Sequence, residues 1–312
     1  MLLERELQTL TRRGLDHSLP PMRLWHKAKK LGVWDPRDID FRRDIDDWRR
    51  LEPLEREVLL NLSSLFLGGE ESVTLDLLPL IQTIAAEGRL EEEIYLTSFL
   101  FEEAKHVEAF RRFLDEVAGA DGLGAGDLRR FLSPSYERIF CDELPRALGR
   151  LGTDRSPVAQ AEASATYNMI VEGVLAETGY HAYHATLARN RILPGMQQVV
   201  AYLKRDESRH LAYGVFLLSR LVAEHGEPVA GAIERRMAEL LEPALGTITE
   251  MFARYEVLPF GLAVDEFLGF ATSQFEKRMT RIRAARGRTV ADVCGDRLAD
   301  EEDAGPGDGR AS

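Results

Sequence analysis

The sequence predicts an all-α protein, a helical bundle with unusually long helices. Apolar residues recur at helical spacing over long stretches, as in Leu59, Leu60, Leu62, Leu65 and Phe66, and again in Leu75, Leu77, Leu78 and Ile81. No stretch shows the apolar–polar alternation of a half-buried strand. With 312 residues, 45% of them hydrophobic, the chain can bury one large core, and its glycines and prolines form no block that would divide it.

Residues 1–50 are rich in punctuation, with Pro20-Pro21, Gly32 and Asp35-Pro36. They read as an arm with short helices, held on the body by Trp25, Trp34 and Trp48. A domain over residues 51–294 follows. Its first helix is expected to run from Glu52 to Gly88, interrupted at Gly68-Gly69, where each glycine costs about 1 kcal/mol relative to alanine, a cost that points to local distortion or close packing. A second runs from Leu90 to about Val117, ahead of a glycine-rich loop. A third spans about Asp127–Leu151, bent or split at Pro134 and Pro145. Ser156-Pro157 starts a fourth that reaches about Asn190, and Pro194 opens a fifth ending at His225. Two more cover about Glu227–Tyr255 and Val264–Ala285. The acidic tail, 295–312, is too polar to pack and reads as disordered.

A net charge of −12 disfavours nucleic-acid binding, which needs a basic face. Cys141 and Cys294 form no CxxC motif and suit a reducing cytoplasm. The charged amino terminus does not resemble a signal peptide, and no run is long and apolar enough for a membrane span.

Of seven histidines, only His106 and His210 have glutamate three positions earlier, as Glu103-Ala-Lys-His106 and Glu207-Ser-Arg-His210. On a helix such a pair shares a face and can offer one carboxylate oxygen and one imidazole to a single ion. Glu70 precedes Glu103 by 33 residues and Glu172 precedes Glu207 by 35, so each half supplies a glutamate on one long helix and Glu-x-x-His on the next. This is the ligand pattern of ferritin-like dimetal carboxylate bundles. Carboxylate and imidazole donors suit iron and manganese, with positions open to dioxygen. The neighbours of Glu103 and Glu172 are strongly apolar, and an unpaired charge cannot be buried there. Asp206 is a candidate acceptor for His106, fixing its tautomer, although an ordinary surface aspartate is an equal reading. His181-x-x-His184 lacks a carboxylate, lies beyond Glu172 and is read as structural.

The segments Gly69-Glu-Glu-Ser-Val-Thr74, Phe101-Glu-Glu-Ala-Lys-His106, Thr166-Tyr-Asn-Met-Ile-Val-Glu-Gly173 and Asp206-Glu-Ser-Arg-His210 resemble the small subunit of ribonucleotide reductase. More specifically, they resemble its relatives, the ligand-binding oxidases with a mixed manganese–iron site. Asp38-Ile-Asp-Phe41 and Ala285-Arg-Gly-Arg288 extend the likeness to about residues 19–293. The resemblance implies a ferritin-like bundle with additional helices and metal ligands Glu70, Glu103, His106, Glu172, Glu207 and His210. It implies manganese and iron as cofactors, with di-iron as the alternative. It further implies an ether link between Val73 and Tyr167 made during dioxygen activation, and a site-proximal Tyr180. Partners implied are a long-chain fatty acid bridging the metals, an unidentified electron donor and a second copy in a homodimer. Ser72 stands where alanine is common.

Two other functions are considered. A reductase small subunit of the manganese–iron type is compatible with Phe110, which replaces the usual radical tyrosine. It lacks support from the tail, because Tyr255 is the last tyrosine. A ferritin-like metal store fits poorly with two helix hairpins and a long arm in one chain.

Overall fold

The computed structural model describes residues 7–119 and 127–295, and they form a bundle of helices with no strand. The acidic tail beyond Gly295 and most of the glycine-rich loop lie outside the described residues. The arm contributes α1 (Pro20–Leu31) and α2 (Arg42–Arg50). The body begins with α3 (Pro53–Asp76), α4 (Leu78–Ala86) and α5 (Leu90–Phe113). Next come α6 (Pro134–Glu137) and α7 (Leu144–Arg150), joined through π-helical Arg138–Glu143. A longer helix consists of α8 (Pro157–Ser164), π-helical Ala165–Ala176, α9 (Glu177–Tyr183) and a π-helical end, His184–Ala188. Then follow α10 (Pro194–His225), α11 (Glu227–Phe252), α12 (Val264–Arg283) and the short α13 (Val290–Gly295).

Local chemistry explains the helix ends. Glu52 and Glu55 form a reciprocal capping box with Pro53 in the first turn of α3. Ser156 accepts from Ala159 N–H at 3.2 Å, with Pro157 in the first turn of α8. The arm reaches further into the body than a wrapping does. Asp44 accepts from the Gly195 and Met196 N–H groups, each at 2.8 Å, and so caps α10, the helix that carries Glu207 and His210. Leu24, Ile39, Phe41 and Trp48 of the arm join the same apolar core as Leu96, Tyr167 and Leu217, with Trp25 and Trp34 partly buried against it.

Three expectations about helix course need correction. The first helix breaks at Leu77 rather than running to Gly88, because Pro79 has no N–H and its ring clashes with the carbonyl one turn back. Gly68 and Gly69 do not interrupt α3; they let it pack closely. A Cβ on Gly68 would stand 2.7 Å from Tyr136 Oη, and one on Gly69 would stand 3.3 Å from Phe140 Cε1. The third helix is split at Pro134 as expected, into a 3-10 turn over Leu128–Phe131 and a helix from Pro134, but Pro145 is accommodated after a π-helical segment without a break.

Gly179 makes another tight contact beside the site, since a Cβ there would lie 2.3 Å from Phe66 Cε2. Phe66 is itself stacked on Phe110 and tilted against Tyr180, with centroids 5.1 and 5.2 Å away, so making room for a Cβ would disturb both contacts. Gly179→Ala is therefore expected to cost about 1–3 kcal/mol. Urea unfolding checks this; an unchanged midpoint would contradict the packing argument.

Candidate metal centre

Four long helical elements each bring a carboxylate to one point inside the bundle. Glu70 comes from α3, Glu103 and His106 from α5, Glu172 from the π-helical segment, and Glu207 and His210 from α10. None of the six is more than 5% exposed. They form two overlapping groups, Glu70–Glu103–His106–Glu207 and Glu103–Glu172–Glu207–His210, with the donor atoms in each within 4.8 Å of one another. His106 Nδ1 lies 3.4 Å from both Glu70 and Glu207 and 3.6 Å from Glu103. His210 Nδ1 lies 3.1 Å from Glu103, 3.5 Å from Glu207 and 3.7 Å from Glu172. Glu103 and Glu207 thus belong to both groups.

The residues fit a pair of cations. Glu103 Oε2, His106 Nδ1, Glu172 Oε1, Glu207 Oε2 and His210 Nδ1 are buried and have no hydrogen-bond partner. Such atoms are costly unless something pairs with them, and four carboxylates balance two divalent ions. The outward Nε2 of each imidazole faces a carboxylate, which leaves Nδ1 free to coordinate. His210 Nε2 is 2.9 Å from Glu102 Oε2, and His106 Nε2 is 3.4 Å from Asp206 Oδ2. Buried Arg209 ties the two together, donating to Glu102 Oε1 and Asp206 Oδ1 at 2.6 Å each.

Sequence reasoning singled out Asp206 and missed Glu102, its counterpart in register. Each is the acidic residue immediately before the glutamate of a Glu-x-x-His motif, and each serves the other motif's histidine. Asn168 was also missed: it donates to Glu172 Oε2 at 3.0 Å and is held by Ser164. Trp34, read only as a packing residue, donates from Nε1 to Asp206 Oδ2 at 2.8 Å.

Comparison with solved structures gives close matches. An R2-like ligand-binding oxidase from Sulfolobus acidocaldarius superposes with a TM-score of 0.84 at 38% identity, covering 93% of this chain and 99% of that one. The chain belongs to the R2-like ligand-binding oxidase family. A glycine-to-leucine variant of an R2-like ligand-binding oxidase, with anaerobically reconstituted Mn/Fe cofactor, matches at a TM-score of 0.84 and 36% identity over 90% of this chain and 98% of that one. A tyrosine-to-phenylalanine variant with aerobically reconstituted Mn/Fe cofactor gives the same score and identity, over 90% and 99%. No family model matches the sequence.

The other residues implied by the oxidase resemblance also lie at the site. Tyr167 Oη is 3.3 Å from the Val73 carbonyl and 3.4 Å from Glu103 Oε1, with both side chains buried. Tyr180 has a buried hydroxyl without a partner, and its ring packs on Phe66. Phe110 lies between Phe66 and Tyr183, inside the core. Ser72 turns its hydroxyl to the Gly68 carbonyl at 2.8 Å. His181 pairs with Glu266 at 2.8 Å and stacks on Phe270, while His184 is exposed; neither belongs to the two donor groups.

An apolar cavity of about 780 Å³, open end included, is lined by the four glutamates and by Leu62, Leu65, Val171, Leu175, Ile248 and Phe252. Its far wall is formed by α11 and α12.

Without cations the site holds protons. Burial raises the Glu70 carboxyl to about 8, opposed by His106, and drives Glu172 well above the carboxylate range, reinforced by Glu207. Burial disfavours both imidazolium ions, yet the surrounding carboxylates, Glu70 foremost at His106 and Glu207 at His210, outweigh it and raise both histidines. Metal loading must displace these protons. Apparent metal affinity is therefore expected to rise with pH through about 8, where Glu70 gives up its proton, with more than one proton released per chain in weakly buffered solution. A pH-independent affinity would contradict this.

Proposed function

We propose that this family member activates dioxygen at a mixed manganese–iron centre beside a bound long-chain fatty acid or similar acyl ligand. Glu70, Glu103, His106, Glu172, Glu207 and His210 would hold the ions, Glu103 and Glu207 spanning both. The observation that carries this reading is the set of five buried, partnerless donor atoms beside an apolar cavity. Carboxylate and imidazole donors accept either metal, so di-iron is the alternative, and the Mn/Fe cofactors named for the related structures favour the mixed pair. The loaded centre would supply a strong oxidant from dioxygen.

The chain's own residues do the rest. Asp206 and Glu102 hold the imidazoles by their Nε2 atoms, and Arg209, donating to both carboxylates, holds these in place. The cavity suits a carboxylate head at the metals and an alkyl tail along its apolar wall, and a bound tail would exclude water there. Tyr167 and Val73 would be joined by an ether bond. That removes the phenolic hydrogen and one valine C–H hydrogen, two protons and two electrons, which dioxygen accepts on its way to water. The other two electrons would be supplied by the reduced ions, and the other two protons by solvent. Tyr180, with its free buried hydroxyl, stands close enough to influence the site.

Residues 51–294 are read as the dimetal domain with the arm packed on it. Repeated turnover needs an external electron donor. A homodimer in the cytoplasm is the proposed setting; both cysteines are free, and among the described residues no helix is long and apolar enough to cross a membrane. The reductase-subunit reading gains nothing from Tyr255, whose hydroxyl accepts from Asn61 at 2.9 Å in the folded body. Metal analysis with anomalous scattering is expected to show near-equal manganese and iron. Two irons per chain under manganese-replete conditions would overturn the assignment of a mixed pair.

A further inference from the structure

A readily oxidised side chain stands beside the proposed centre. The Trp34 ring lies 6.3 Å from the His106 ring and 17° from parallel, and both are linked through Asp206 Oδ2. Trp34 is only partly buried, and Tyr202 lies beyond it at 5.2 Å. An oxidant held by His106 would have an indole within short tunnelling distance, and a hole placed there could escape outward. The Tyr167–Val73 reaction needs both electrons to be taken from that pair, so such a leak would waste it.

The charges around Trp34 oppose the leak. Lys105 Nζ sits 4.4 Å from the indole centroid, bonded to the Gly32 carbonyl and 3.2 Å from Asp206 Oδ2, with its side chain 6% exposed. An ammonium on the ring face attracts the neutral indole and repels its radical cation, and poor solvation strengthens both effects. Asp206, which would have to take the indole proton, is already matched by Lys105 on one oxygen and Arg209 on the other. Farther out, the Arg205 guanidinium covers Tyr202 at 4.9 Å.

We propose that Lys105 guards Trp34 against oxidation, so that the oxidising equivalents of the site are spent on Tyr167 and Val73. This rests on the dimetal-oxidase reading above. In the leak, Trp34 gives one electron to the oxidised centre and its Nε1 proton to Asp206 or water. The centre would then be one oxidising equivalent short of the two that ether formation requires. Lys105 is thus a positioning residue that acts through Trp34.

The test is aerobic metal loading of the full chain followed by freeze-quench EPR, with ring-deuterated tryptophan as label, and by intact mass. Wild type and Lys105→Arg should show no indole radical and should lose two hydrogens. Lys105→Met should give a tryptophan radical whose spectrum narrows on deuteration, and should lose most of its cross-link. Lys105→Met combined with Trp34→Phe should lose the radical and regain the cross-link, which a merely structural defect would not allow. Lys105→Met that cross-links like wild type without an indole radical overturns the guard. So does Trp34→Phe alone if it raises the cross-linked fraction, because Trp34 would then leak with Lys105 in place; this arm holds even if Lys105→Met fails to bind metal. A wild-type chain that loads metal but never cross-links overturns both readings, and its own mass distinguishes this from failure of the guard alone.

Discussion

Tyr167→Phe is expected to bind two metal ions as the wild type does, yet to keep its full mass after loading in air, whereas the wild type loses two hydrogens. The phenolic oxygen is the only heteroatom this reaction could use from the Tyr167–Val73 pair, and it sits 3.3 Å from the Val73 carbonyl inside a site with both side chains buried. Removing it deletes one end of the ether bond and leaves the six metal donors untouched. Its contacts with Val73 and Glu103, at 3.3 and 3.4 Å, are long, so their loss should cost little stability. The effect is all-or-none in mass and near zero in metal content. Intact-mass spectrometry and metal analysis on the same sample separate the two. A Tyr167→Phe protein that still loses two hydrogens would move the cross-link to another phenol, and Tyr180, buried with its hydroxyl unpartnered, would be the first to examine.

The six clustered residues are legible because helical spacing reports which side chains share a face. Glu103 with His106 and Glu207 with His210 are such pairs, and the similar offsets to Glu70 and Glu172 place two hairpins opposite each other. The structure brings these six together, with Asp206 beside His106. What escaped was set by tertiary contacts. Nothing local in Glu102 states that it meets a histidine 108 residues away, although its register matches that of Asp206. Asp44 looks like one more acid in a charged arm until it is seen capping α10 from 151 residues away. Burial holds its carboxyl up near 6, against the two N–H groups that favour the ionised form. The break at Leu77 was legible in principle, since Pro79 announces it; the apolar run through Leu78 and Ile81 masked the signal. The tolerance of α3 for Gly68-Gly69 depends on Tyr136 and Phe140, which belong to a different helix.

The stability of the site, as distinct from its chemistry, is expected to depend on Arg209. Arg209→Met should destabilise the fold by about 3–5 kcal/mol, because it leaves Glu102 and Asp206 buried, each at most 1% exposed, without their shared cation. The sign follows from Asp206. Burial would raise its carboxyl, but His106, Arg209 and Lys105 together hold it below the ordinary value of 3.8. An acid depressed in the folded state contributes stability above its unfolded pKa and gives it up only as pH falls through the folded one, so the Arg209 contribution is fully present at pH 7. Methionine keeps most of the volume, which separates loss of charge from loss of packing. Urea midpoints at pH 7 on metal-free protein check the prediction, with an unchanged m-value as the sign that the same structure is unfolding. Because the same two carboxylates hold His106 and His210, metal affinity should also fall, by about 10–100-fold. A change of less than about 1 kcal/mol would mean that water or a neighbouring group replaces the guanidinium, and that the carboxylate pair is less enclosed than its burial indicates.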